Sequence, residues 1–155
     1  MSTYTIEQIS FDEFFNNYKD IQEYLYEVAP SLSKMFGNKL DYRHTDYASL
    51  FKRYIFLVCL RDGKISGHMI CNLFTSPLDS TVRILSQVSF HTKPGSGRSA
   101  YHLFHKFLDI GKARANHVIT HTNPNTNIKS STLERMGFEE VETVYRLEIT
   151  DECRR

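Results

Sequence analysis

Residues 54–74 read as two apolar runs folded back on a two-residue turn, and this feature constrains the fold more than any other. Tyr54 to Arg61 carries the run Ile-Phe-Leu-Val-Cys-Leu, Asp62-Gly63 is a strong hairpin signal, and Lys64 to Phe74 is the return strand. Pro77 to Ser80 marks a second turn, and Thr81 to Phe90 reads as a third strand. Three consecutive antiparallel strands form a meander at the centre of the chain. That order argues against a dinucleotide fold, which opens on a βαβ unit.

The segments on either side read as helix and strand. Tyr4 to Ile9 alternates weakly and suits a first strand. Ser10 and Glu13 have capping-box spacing. Phe11, Phe14, Phe15, Tyr18, Ile21, Leu25 and Val28 follow at helical spacing, which predicts an amphipathic helix over 11–28, stopped by Pro30. Spacing alone explains this stripe as a core-facing one. Residues 31–47 are irregular and rich in aromatics, including Phe36, Tyr42 and Tyr47; they suit a substrate lip or a loop tucked onto the core. A short helix is expected over 46–53. After the meander, Ala100, Leu103, Phe104, Phe107, Leu108 and Gly111 fall on one helical face. A strand over 117–122, a helix over 127–136 and a last strand over 140–149 complete the order. The expectation is one α/β domain over 1–150, in the α+β sense, with a polar tail at 151–155.

Composition excludes several function classes. A chain of 155 residues at 41% hydrophobic can bury a core without metals or disulfides. Its net charge of +1 gives no footprint for nucleic acid or an anionic membrane. No apolar run approaches the roughly 20 residues of a spanning helix, and 1–11 lacks the basic start and apolar centre of a signal peptide. Cys59, Cys71 and Cys153 show no CxxC or Cys/His zinc spacing, so no metal is expected. In a two-residue-loop register Cys59 faces Ser66, and Cys71 lies about five residues further along, beyond disulfide reach. Free thiols point to a reducing compartment and a cytoplasmic location.

The stretch Lys93-Pro94-Gly95-Ser96-Gly97-Arg98-Ser99 joins a strand to a helix. Glycines at a helix N-terminus expose orphan amides, and the helix dipole favours an anion there. Arg98 and Ser99 would add donors, so a pyrophosphate fits. A Walker loop would need Gly-Lys-Ser/Thr, which is lacking. A plain tight turn entering a helix remains the alternative.

The order of elements resembles the GNAT N-acyltransferase family over almost the whole chain. The family turn reads Arg/Gln-x-x-Gly-x-Gly/Ala, and Thr92-Lys93-Pro94-Gly95-Ser96-Gly97 fills that frame, with Thr92 in place of Arg or Gln. A second family pattern, Asn-x-x-Ala-x-x-Leu-Tyr-x-x-x-Gly-Phe, matches at Asn127, Ser130, Leu133, Gly137 and Phe138, one residue short. The missing residue is the tyrosine that serves many relatives as general acid. Gly137 is equally a helix C-cap.

The resemblance implies a mixed, mostly antiparallel twisted sheet flanked by helices. It also implies N-acetyl transfer from acetyl-CoA to an amine on a small molecule or a protein. Coenzyme A would be held by Val88, Ser89, Phe90, Gly95, Ser96, Gly97, Arg98, Ser99 and Asn127. A backbone amide near 88–90 would polarise the thioester carbonyl, with strands 81–90 and 117–122 splayed around the pantetheine arm. The third strand carries no carboxylate, so candidates for proton transfer are Tyr145, His121 and Gln87, with His68 and His91 as further histidines. Two other readings stay open: a non-catalytic GNAT-like coenzyme A or protein-interaction module, and an acyltransferase for a nucleic-acid base or tRNA, which the near-neutral charge disfavours. A homodimer is also open.

Overall fold

A computed structural model describes the chain apart from residues 17, 37–44, 123–127, 143–144, 146–148, 153 and 155. Five strands form one sheet in the order β1-β2-β3-β4-β5. They are β1 (Tyr4–Gln8), β2 (Ile55–Arg61), β3 (Lys64–Thr75), β4 (Arg83–Thr92) and β5 (His117–Ile119). The first four pair antiparallel, and β5 runs parallel to β4. The sheet is therefore mixed and mostly antiparallel.

The central hairpin forms at Asp62-Gly63, with φ of 51° and 79°. Two left-handed residues in a two-residue loop match the right-handed twist of the strands. The expected facing of Cys59 and Ser66 is corrected. Arg61 pairs Lys64 and Leu60 pairs Ile65, but Cys59 then pairs Gly67. Ser66 is the extra residue of a bulge. Its hydroxyl donates to the Cys59 carbonyl at 3.1 Å, which gives the bulge a local bond. Cys59 and Cys71 are buried and free.

Helices cover both faces. On one lie α1 (Phe11–Asn16), α2 (Tyr18–Phe36) and α3 (Tyr47–Arg53). The capping box is made: the Ser10 amide donates to Glu13 Oε2 at 2.9 Å, and the Glu13 amide to Ser10 Oγ at 3.2 Å. Asp46 caps α3 by accepting from the Ser49 amide. Ile21, Tyr24, Leu25 and Val28 of α2 bury against Phe56 and Val58 of β2. The expected stop at Pro30 is corrected, because α2 continues to Phe36. Pro30 is exposed, as is Tyr26 one turn earlier. The carbonyl that loses its backbone partner lies on the wet side, where water can serve it, while the buried face holds the helix to the sheet.

On the other face lies α4 (Ser99–Arg114), with Leu103, Phe104, Phe107 and Gly111 buried at the expected spacing. They pack on Leu57, Cys59, Met69, Cys71, Leu85 and Phe90. The short α5 (Ser130–Arg135) buries Leu133 on the same cluster. It ends in a Schellman cap: the Phe138 amide donates to the Leu133 carbonyl, and the Gly137 amide to the Glu134 carbonyl, both at 3.0 Å. Phe138 then packs at a tilt against Phe104, with ring centroids 6.0 Å apart. The expected helix start at Asn127 and much of the expected last strand lie outside the described residues; Glu140 to Glu142, Tyr145 and Ile149 are not in a strand. β4 runs two residues past its expected end, which places His91 and Thr92 inside the sheet.

Candidate functional site

β4 changes partners halfway along. It pairs with β5 only at Ile84–His117, Leu85–Val118 and Ser86–Ile119. From Gln87 onward the two strands separate. On the other side β4 pairs β3 through Cys71–Gln87 and then Ile70–Ser89, so Val88 is bulged out with no register partner on either neighbour. A bulge bends its strand and strengthens local twist, which is how β4 leaves β5 here. Val88 is 44% exposed at that point. Gln87 is buried, and its Oε1 accepts from Thr120 Oγ1 at 2.5 Å, tying the two strands at the start of the gap.

The glycine turn follows β4 directly. The Ser96 amide donates to the Lys93 carbonyl at 3.1 Å across Pro94 and Gly95. Gly95 has φ 72°, the left-handed conformation that a type II turn, here with Pro94 at its second position, requires at its third. A second turn closes when the Ser99 amide donates to the Ser96 carbonyl at 3.4 Å, with Gly97 at φ 64°. Among the described residues, the amides of Gly97, Ala100 and Tyr101 have no hydrogen-bond partner. These are orphan donors at the positive end of α4. The Arg98 guanidinium lies over the Tyr101 ring at 4.7 Å.

Two features of the turn escaped the sequence. Ser99 is fully buried, and its hydroxyl is engaged by Ser66 Oγ at 2.7 Å and the Ser96 carbonyl at 2.8 Å. Neither its amide nor its hydroxyl is open to a ligand. Tyr4 of β1 reaches across so that its phenol oxygen accepts the Arg98 amide at 3.1 Å, while its ring stacks on His102 at 4.8 Å. A side chain at Gly97 would collide with that phenol oxygen, so glycine is needed there for the approach of Tyr4 as well as for φ. Arg61 adds a hydrogen bond from Nη1 to the Gly95 carbonyl at 2.6 Å.

Behind β4, on the α2 face, lies a buried polar chain. His68 of β3 is fully buried, with Nδ1 2.8 Å from the Tyr24 phenol and Nε2 3.0 Å from Ser89 Oγ. The Tyr24 hydroxyl also donates to the His91 carbonyl at 3.4 Å. Burial, and to a lesser degree the neighbouring His91, push the His68 pKa down to about 3. His91 is buried with both ring nitrogens unpartnered among the described residues, and burial lowers its pKa too. Both imidazoles are neutral at physiological pH. His68 and His91 are candidates from the sequence; Tyr24 is not, although its place three residues after Ile21 puts it on the same helical face.

The remaining expected site residues are scattered. Phe90 is buried on the opposite face, 6.4 Å from Phe104 between ring centroids. Ser96 is buried within the turn. His121 is exposed just beyond β5, and Tyr145 is 90% exposed. Asn127 lies outside the described residues. A cavity of about 430 Å³ opens beside α2, lined by Tyr24, Glu27, Lys64 and Lys93 among others; none of Val88 to Phe90 lines it.

No family model matches the sequence, and no curated protein matches it. Solved structures do match over nearly the full length. One is an aminoglycoside acetyltransferase from an uncultured soil metagenomic sample, at 13% identity and a TM-score of 0.66, covering 96% of this chain and 99% of that one. Another is an acetyltransferase from Trypanosoma brucei, at 14% identity and a TM-score of 0.69, covering 95% and 100%. A third is a transcriptional regulator from Bacillus halodurans, at 11% identity and a TM-score of 0.70, again covering 95% and 100%. The architecture is the GNAT fold, as the order of elements implied.

Proposed function

We propose that this GNAT-fold chain transfers an acetyl group from acetyl-CoA to an amine on a small molecule or a protein. One observation carries the reading: β4 parts from β5 at the Val88 bulge, and the same strand then runs through the glycine turn into the open amides of α4. A thioester with a pyrophosphate-bearing tail needs both features on one continuous segment. The amides of Gly97, Ala100 and Tyr101 would hold the pyrophosphate, with Arg98 adding positive charge. Tyr4 would give up the Arg98 amide. The bulged backbone at Val88 would turn an amide toward the acyl carbonyl, in the manner of an oxyanion hole. Acetyl-CoA supplies the activated acyl group; the chain supplies position and oriented dipoles. With Tyr145 and His121 both exposed, and burial making His68 a weak base, proton removal falls to water. The buried free thiols Cys59 and Cys71 suit the reducing cytoplasm.

The Tyr4 contact also favours a second reading, a GNAT-like module that no longer turns over. The two separate in one assay: thiol release and acetylated product, by mass spectrometry, with kanamycin, spermidine and a peptide bearing a free N-terminus. Acetylation of any of these supports the transferase. Acetyl-CoA binding without product across the panel supports the module.

A further inference from the structure

The acetyl-transfer reading uses the cleft side of β4 and leaves the buried chain on its α2 face without a role. The protons of that chain can be assigned. The His91 carbonyl only accepts, so the Tyr24 phenol donates to it. The phenol oxygen then accepts from His68 Nδ1–H, and His68 Nε2 presents its lone pair to the Ser89 hydroxyl. In this arrangement all three protons have acceptors. In the opposite tautomer the Ser89 proton has none among the described residues, and buried donors are rarely left in that state.

We propose that Ser89 accepts an N–H of the acceptor amine, and that His68 and Tyr24 are positioning residues that keep the Ser89 proton turned away from it. This rests on the acetyl-transfer reading and identifies how its second substrate is oriented. Ser89 is next to Val88, where β4 leaves β5, so it adjoins the place proposed for the acyl carbonyl. A hydroxyl has one proton and two lone pairs. With its proton held by His68, Ser89 can only accept from a ligand. An attacking amine must keep its lone pair for the carbonyl carbon and has N–H bonds to spare. A donor at this position would capture that lone pair and block attack. The chain orients and does not ionise, because fully buried His68, with its pKa near 3, is too weak a base to take the hydroxyl proton.

The test combines kinetics with the ¹⁵N spectrum of His68, using whichever of kanamycin, spermidine or the free-N-terminus peptide the wild type acetylates. Ser89→Ala is expected to raise the amine KM about 3- to 10-fold, the loss of one hydrogen bond, and to leave the acetyl-CoA KM unchanged. Ser89→Thr, which keeps the hydroxyl, restores most of the loss. The wild-type spectrum shows the Nδ1–H tautomer. Tyr24→Phe removes the acceptor, shifts His68 toward Nε2–H and raises the amine KM. The double variant is no worse than Ser89→Ala alone, because both act through one group. An unchanged amine KM in Ser89→Ala, or a wild-type Nε2–H tautomer, overturns this inference and leaves acetyl transfer standing. A wild type that acetylates none of the amines overturns both. The spectrum and the Tyr24→Phe arm decide the matter if Ser89→Ala does not fold.

Discussion

The two faces of the sheet are built from alternate residues of the same strands, yet they differ in kind. On the α4 face, Leu57, Met69, Cys71, Leu85 and Phe90 meet Leu103, Phe104 and Phe107 in a layer that is apolar apart from the Ser66–Ser99 pair at the start of α4. On the α2 face the same β3 and β4 present His68, Ser89 and His91, buried among Tyr24, Phe56 and Val58. Apolar packing stabilises without direction. A buried polar chain adds little net stability but demands one geometry. The α4 face therefore carries the fold, and the α2 face carries the constraints that chemistry would need.

Several substitutions can break or sharpen that contrast. The largest effect belongs to the α4 face: Phe107→Ala should lose about 3–5 kcal/mol of unfolding free energy by denaturant titration, as expected for a truncated buried aromatic. In the fraction that stays folded, the amine KM should not move.

Acid should act on the other face. The folded-state pKa of His68, about 3, lies below the roughly 6.5 of an unfolded histidine. Between those values the unfolded chain binds the extra proton, so stability is intact above about pH 6.5 and falls as pH drops toward 3. His91, also depressed, adds in the same direction. Thermal melts from pH 7 to 4 should show the loss, at about 2–4 °C per kcal/mol for a domain of this size. His68→Gln should flatten the profile. A profile that stays equally steep would remove His68 as its source.

The smallest effect is expected at the turn. Tyr4→Phe frees the Arg98 amide, and acetyl-CoA should bind a few-fold more tightly, by about 0.5–1.5 kcal/mol. Weaker binding would mean that the Tyr4 hydroxyl helps to hold the cofactor.

Local signals were the legible ones. Asp62-Gly63 set the hairpin, Ser10 and Glu13 the capping box, Phe104 and Phe107 the buried face of α4, and Gly137 the cap of α5. Each acts within a few residues, so its chemistry is written in the string. The bulges at Ser66 and Val88 were not legible, because a bulge exists only relative to the strand across from it. The same holds for the two contacts that most alter the candidate site. Tyr4 meets Arg98 across 94 residues of sequence, and Tyr24 meets His68 across 44. Ser99 was readable as a donor beside a glycine turn; only the packing of Ser66 against it shows the hydroxyl turned inward. Pro30 misled for a related reason: propensity said stop, and a face already anchored by Ile21, Leu25 and Val28 carried α2 onward.

The central claim is that the N-terminus of α4 holds the pyrophosphate of acetyl-CoA. Isothermal titration of acetyl-CoA into the wild type and into Arg98→Glu tests it most directly. Arg98 is exposed and makes no ion pair among the described residues, so reversing its charge should leave the fold intact. Saturable binding to the wild type, weakened about tenfold or more in Arg98→Glu, is the expected result. Equal affinity in the two proteins, or no heat from the wild type at millimolar acetyl-CoA, would contradict it.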